Sequence, residues 1–238
     1  MFKENHVVVT GGAGALGQSV VSYFESRGAR VAILDYSEEI LGEVFTSRQP
    51  GNLYPRNLYI ACDLTSRESC EAAVKDILVE FGSIEILCNI AGGFLMGEMV
   101  HETTDQTWDF LFNLNSRSIL NMGAAVVPGM LTAQKGKIVS VAAKAATAGA
   151  AAMGAYTASK SVVMRLTESM ALELRESNIN VNCILPGVID TPRNRQDMPD
   201  ADHKKWVSPD SIARVIGFLA SEDAAAIHGA AIPVDGLS

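Results

Sequence analysis

The chain has 238 residues, 48% of them hydrophobic and 19% charged, which excludes a disordered protein and is enough to bury a sizeable core. Its 27 acidic against 19 basic side chains give a formal net charge of −8 with no Lys/Arg cluster, so nucleic acid and anionic membrane surfaces are poor partners. No apolar run reaches the ~18 residues of a membrane span, no signal-peptide pattern opens the chain, and the four cysteines (Cys62, Cys70, Cys88, Cys183) make no CxxC pair. The expectation is a single cytosolic domain with buried free thiols and no metal site, since His6, His101, His203 and His228 lack spaced Cys or carboxylate partners.

In chain order, His6–Thr10 reads as a short buried strand running straight into the turn Gly11-Gly-Ala-Gly-Ala-Leu-Gly17. A helical pattern follows from Gln18 to Arg27 and stops at Gly28; Arg30–Asp35 is the second strand. Strand, glycine turn, helix and strand form the βαβ unit of a dinucleotide-binding fold. Gly11, Gly14, Ala15, Leu16 and Gly17 would let the backbone approach a pyrophosphate, which the free N–H groups at the helix start would hold. Asp35 closes the second strand where an adenosine ribose would lie. A carboxylate there accepts from the 2′-hydroxyl and repels a 2′-phosphate, and Tyr36-Ser-Glu-Glu39 follows without a cation, so the pattern favours NAD over NADP.

Residues 37–57 hold helix-like and turn-like pieces, including Pro50-Gly51 and Pro55. Leu58–Cys62 is a third strand, Ser66–Phe81 a helix with Ser66 as N-cap, and Ile84–Cys88 a fourth strand ending in Asn89-Ile-Ala-Gly-Gly93. Thr104–Gln134 is predicted as one long, mostly helical stretch with Asn115, a poor helix former, in its interior. That residue is either solvent-exposed or serves an active site. Lys137–Val141, Ile179–Leu185 and Ala230–Val234 are the remaining strands, with a helix from Tyr156 to Ser177 and another from the Ser208-Pro209 cap to Ala220. Residues 188–207 are polar and irregular and follow a strand end, the place for a substrate-binding loop. Alternating strands and helices imply an α/β fold: a Rossmann-type doubly wound parallel sheet of about seven strands.

Tyr156 and Lys160 are four apart, on one face of a helix, an arrangement that holds a cation beside a phenol. With Thr10–Gly17, Asp63-Leu64, Asn89-Ile-Ala-Gly92, Asn115, Pro186-Gly187 and Thr191, this pair makes the chain resemble the short-chain dehydrogenase/reductase family over almost its whole length. The resemblance implies an NAD(H)-dependent oxidoreductase acting on a small-molecule substrate, with NADH preferred over NADPH. It also implies a homodimer or homotetramer joined through the apolar helices 104–134 and 156–177. Tyr156 would exchange the substrate proton, Lys160 with the positive charge of oxidised NAD would lower its pKa, Lys160 would hold the nicotinamide ribose, and Asn115 would seat a water chain to Lys160. Asp35, Tyr36, Cys62, Asp63 and Leu64 would surround the adenosine, Asn89, Ala91 and Gly92 its ribose, and Pro186, Gly187, Ile189 and Thr191 the nicotinamide.

One departure stands out. The family usually places a Ser about a dozen residues before the Tyr, and here Ala143 occupies that position, flanked by Ala142 and Lys144. Quinonoid dihydropteridine reductases share this gap, and the chain is similar to them in Ala91-Gly-Gly-Phe94, Ala143-Lys-Ala-Ala146 and Asp190-Thr-Pro-x-Asn194-Arg195-x-x-Met198-Pro199-x-Ala201-Asp202-x-x-x-Trp206. That resemblance implies reduction of a quinonoid dihydropterin. The alternatives are an alcohol/ketone or 3-oxoacyl dehydrogenase whose donor comes from Thr147 or Asn194, and a nucleotide-binding regulator that has lost catalysis.

Overall fold

Alternate residues of the central strands face opposite helical layers, and both sets are apolar. In β1 (His6–Thr10), Val7 and Val9 pack in one core while Val8 packs in the other, all three fully buried. That near-continuous apolar character marks a parallel sheet covered on both faces. The computed structural model describes residues 2–46 and 57–238, so Pro50-Gly51 and Pro55 lie outside the described residues.

Among the described residues, β1 joins β2 (Arg30–Asp35), β3 (Leu58–Ala61), β4 (Ile86–Asn89), β5 (Gly136–Val141), β6 (Ile179–Pro186) and β7 (Ala231–Val234) in one parallel sheet of order β3-β2-β1-β4-β5-β6-β7. The first core holds α1 (Ala15–Glu25), α2 (Glu38–Thr46) and α8 (Pro209–Leu219) on one face; the second holds α3 (Arg67–Phe81), α5 (Ser118–Ala133) and α6 (Gly154–Leu174) on the other. Helices α1 and α8 touch closely because Gly217 has no side chain: a Cβ there would sit 2.0 Å from the Tyr23 ring.

Strand order reverses direction between β1 and β4, which opens a crevice at the carboxyl ends of the strands, the ligand position in open α/β sheets. Ser66 caps α3 as predicted, accepting from the Ser69 amide.

Two expectations change. The stretch 104–134 is not one helix: α4 (Asp105–Phe112) and α5 are joined by a widened π turn at Asn113–Arg117. Residues 190–207 are less irregular than their polarity implies. Thr191 caps a short helix, α7 (Pro192–Asp197), and Ile189 bridges Val207, closing the loop at its base.

Candidate active site

The glycine turn is fixed by close contacts. Gly11 has φ +64°, and a Cβ on it would lie 2.8 Å from the Ala91 Cα; a Cβ on Gly17 would lie 2.1 Å from the Gly11 carbonyl oxygen. Larger residues at either position would separate the turn from β4 or from α1. Helix α1 then starts with no side-chain cap and no acidic residue in its first turn, and Gly14 and Ala15 are exposed. Its first N–H groups and dipole face the crevice, a fit for a pyrophosphate. Thr10, which the sequence reading left without a role, ties the two sides together: its Oγ1 accepts from the Ile90 and Ala91 amides at 3.1 and 3.3 Å.

Asp35 lies beside this turn at the end of β2. One carboxylate oxygen accepts from the Ala13 amide at 2.9 Å and the other from the Tyr36 amide at 2.8 Å. Each oxygen keeps a lone pair for a hydroxyl. The Tyr36 ring is exposed on the rim, whereas Cys62 and Leu64 are buried beneath it. Asp63 accepts from the amide and hydroxyl of Thr65, and the Leu64 carbonyl accepts from Asn121, so the turn after β3 is held from within. The Asn89 side chain points into the sheet, donating to Ser140 at 3.1 Å. Ser140 thus faces β4 from within β5, three residues before Ala143 at the position of the absent hydroxyl.

The π turn explains Asn115. It is 1% exposed, which removes the solvent-facing alternative. Its Oδ1 accepts from the Gly93 amide at 2.8 Å, and its Nδ2 donates to the Gly93 carbonyl and to Ser159 Oγ, both at 3.0 Å. The widened turn brings a polar side chain out of the helix and onto the loop after β4, a recurrent use of π-bulges. Ser159, fully buried between Tyr156 and Lys160, completes the link by donating to the Tyr156 carbonyl at 2.8 Å.

Lys160 is 4% exposed, and its Nζ donates to the Val141 carbonyl at 2.9 Å. A Cβ on Gly92 would lie 2.8 Å from that Nζ and 3.0 Å from Asn115 Oδ1, so glycine at 92 keeps open the space beside the ammonium group. Ala91 and exposed Gly92 leave room for a ribose at this wall. Tyr156 meets Phe94 edge to face, with ring centroids 4.8 Å apart. Burial pushes the Tyr156 phenol up to about 12 and the Lys160 ammonium down to about 8. The expected lowering of the phenol by Lys160 is thus not a property of the protein alone. Desolvation dominates, and the lysine is anchored on Val141.

Ala143 is buried in extended conformation at the expected serine position. Both substitute donors already hold a backbone partner: Thr147 Oγ1 donates its one hydrogen to the Lys144 carbonyl at 2.8 Å, and Asn194 Nδ2 donates one of its two to the Ile189 carbonyl at 2.8 Å. Thr191 Oγ1 accepts from the Asn194 amide, and Pro186 and Gly187 lead from β6 into this loop, with Gly187 against the Asp235 backbone. Lys144 turns away and pairs with Asp235 at 2.7 Å. A cavity of about 140 Å³ opens beside Tyr156, walled by Leu95, Met96, Glu98, Thr107 and Met153, residues absent from the sequence-based site. The described residues hold no cluster of His, Cys, Asp or Glu suited to a metal ion, and no described helix is long and apolar enough to cross a membrane.

Comparison with known proteins agrees with this geometry. Residues 5–202 match the model of the short chain dehydrogenase family. The chain is 34% identical to 2-(R)-hydroxypropyl-CoM dehydrogenase of Xanthobacter autotrophicus, covering 96% of both chains. It is 33% identical to cyclopentanol dehydrogenase of a Comamonas species (97% of this chain, 95% of the relative) and 30% identical to a 3-oxoacyl-[acyl-carrier-protein] reductase of Thermotoga maritima (96% and 95%). Among solved structures, levodione reductase superposes with a TM-score of 0.91 at 25% identity, covering 99% of this chain and 98% of that one. The chain belongs to the short-chain dehydrogenase family and is an oxidoreductase.

Proposed function

We propose that the enzyme uses NADH to reduce a planar, electron-poor acceptor of the quinonoid dihydropterin type. The observation that carries this reading is the site's single proton donor. Tyr156 faces the cavity, Ala143 replaces the second hydroxyl, and Thr147 Oγ1 and Asn194 Nδ2 each donate to a backbone carbonyl. A ketone needs its oxygen polarised as hydride arrives, and losing one such donor typically lowers rate by ~10²–10³. A quinonoid ring is already activated and loses less.

The bound nicotinamide would supply the hydride. The protein's share is the proton and the geometry. Tyr156, neutral because burial holds its pKa high, gives up its proton as the substrate accepts two electrons. Lys160, whose ammonium is easily deprotonated at a pKa of about 8, is suited to pass a proton back to the phenolate. Asp35 supports NADH over NADPH, since its charge repels a 2′-phosphate while both oxygens can still accept from a ribose hydroxyl. Exposed Leu120 on α5 and Leu172 on α6 support assembly into a homodimer or homotetramer through those helices.

A second reading, interconversion of a secondary alcohol and a ketone, is favoured by the relatives named cyclopentanol dehydrogenase and 2-(R)-hydroxypropyl-CoM dehydrogenase. A panel assay separates the two. NADH oxidation is followed with quinonoid dihydropterin, a cyclic ketone and a β-ketoacyl thioester. Turnover of the pterin well above the carbonyl compounds supports the first reading; turnover of carbonyl compounds alone overturns it.

A further inference from the structure

The cavity beside Tyr156 has a polarity its apolar walls conceal. Among the described residues, Glu98 is its one carboxylate, and no Lys or Arg lines it. Glu98 is held rigidly. One carboxylate oxygen accepts from the hydroxyls of Thr107 at 3.0 Å and Thr104 at 3.4 Å, and the other accepts from the Thr104 amide at 3.2 Å. A carboxylate offers about four lone-pair sites. The loop and the start of α4 occupy three, so one remains on Oε2, the oxygen that accepts from the Thr104 amide.

The surroundings fix where that oxygen can act. The loop carrying Glu98 is stapled to the entry of α6, with the Gly97 amide donating to the Ala152 carbonyl at 2.8 Å. Ala152 holds φ +57°, a left-handed conformation that a non-glycine residue rarely adopts, so this wall keeps its shape against local preference. The cavity's volume of about 140 Å³ is small. Pockets that enclose drug-sized ligands measure about 300–1,000 Å³, so this one holds only a small part of a substrate.

We infer that Glu98 is the specificity-determining residue of the substrate cavity, accepting a hydrogen bond from an amino or ring N–H group of a planar heterocycle and excluding anionic substrates. This inference rests on the proposed reading of the site and names the substrate edge it selects. A neutral or cationic amidine-like edge, such as that of a 2-aminopyrimidinone, donates where Glu98 still accepts. A carboxylate, sulfonate or phosphate would meet like charge, with no Lys or Arg among the described residues that line the cavity. Leu95, Met96 and Met153 supply the apolar faces for the ring.

The test uses static probes, so it does not depend on turnover. Binding of 2-amino-4-oxopteridine, and of its 2-methyl analogue lacking the amino donor, is measured by calorimetry on the NADH-loaded wild type and on Glu98→Gln. Loss of a hydrogen bond to a charged group should weaken the amino compound by about tenfold or more in the variant while leaving the methyl compound within about twofold. Equal weakening of both probes would assign Glu98 to loop support alone and overturn the inference. So would unchanged binding of both, or failure of the wild type to prefer the amino compound. Glu98→Gln keeps an acceptor for the threonines; if it melts early, Glu98→Asp must show the same probe-selective loss. Selective binding without reduction of the quinonoid substrate would sink the proposed reaction and leave Glu98 recognition standing.

Discussion

Asn115 clamps the backbone of Gly93 at two points, accepting from its amide at 2.8 Å and donating to its carbonyl at 3.0 Å. Gly93 follows Gly92, which borders the Lys160 ammonium, and precedes Phe94, whose ring meets Tyr156. Through Ser159, the clamp also sets the distance between the loop after β4 and helix α6. Asn115→Ala leaves the half-buried Gly93 groups and Ser159 without this partner, at a cost of about 1–3 kcal/mol and a drop in Tm of roughly 2–12 °C. Thermal melting with steady-state kinetics checks it, and kcat should fall at least as sharply as stability.

Ala143 can be converted into the missing donor. Ala143→Ser places a hydroxyl at the buried, extended position beside the site. Turnover of a ketone should rise by about tenfold or more, with little gain for a preactivated quinonoid acceptor. The ratio of kcat/KM for the two substrates in wild type and variant measures this.

Asp35→Ala removes the carboxylate that accepts from Ala13 and Tyr36. Discrimination between NADH and NADPH should shrink by about tenfold, chiefly through KM for NADH, because both the ribose acceptor and the repulsion of a 2′-phosphate are lost. Cofactor titrations by fluorescence test this outcome.

Lys160 sets a pH dependence of stability. Its pKa falls from the usual 10.5 to about 8 on burial, so between these values the unfolded chain binds more protons than the folded one. Stability from this group therefore rises with pH through that window, by an amount on the order of 3 kcal/mol at most. Above pH 10 the raised Tyr156 pKa opposes it, since there the unfolded phenol ionises first. Denaturant titrations should show wild type gaining on Lys160→Met from pH 8 to pH 10. Parallel curves would remove Lys160 as the cause.

Much of this site was legible in the sequence, and the exceptions share a cause. The strands stood out as apolar runs bounded by glycine, and the Gly11–Gly17 turn declared its purpose by lying between a strand and a helix. The break at Asn113–Arg117 was not legible, because its cause is the backbone of Gly93, 22 residues away from Asn115. Helix α7 is polar all round and six residues long, so it has no periodicity to read, although Thr191-Pro192 is a recognisable helix start. Glu98 and Met153 meet only through folding. The raised Tyr156 pKa of the protein alone was not legible, because spacing reveals the neighbouring lysine but not the burial around the phenol.

The most direct test of the central claim is the turnover of Tyr156→Phe on the substrate that the panel assay selects. Tyr156 is proposed as the site's sole proton donor, so kcat should fall by about 10²–10⁴ while NADH binding and melting temperature stay close to wild type. Unchanged turnover in a folded, NADH-binding variant would contradict the account.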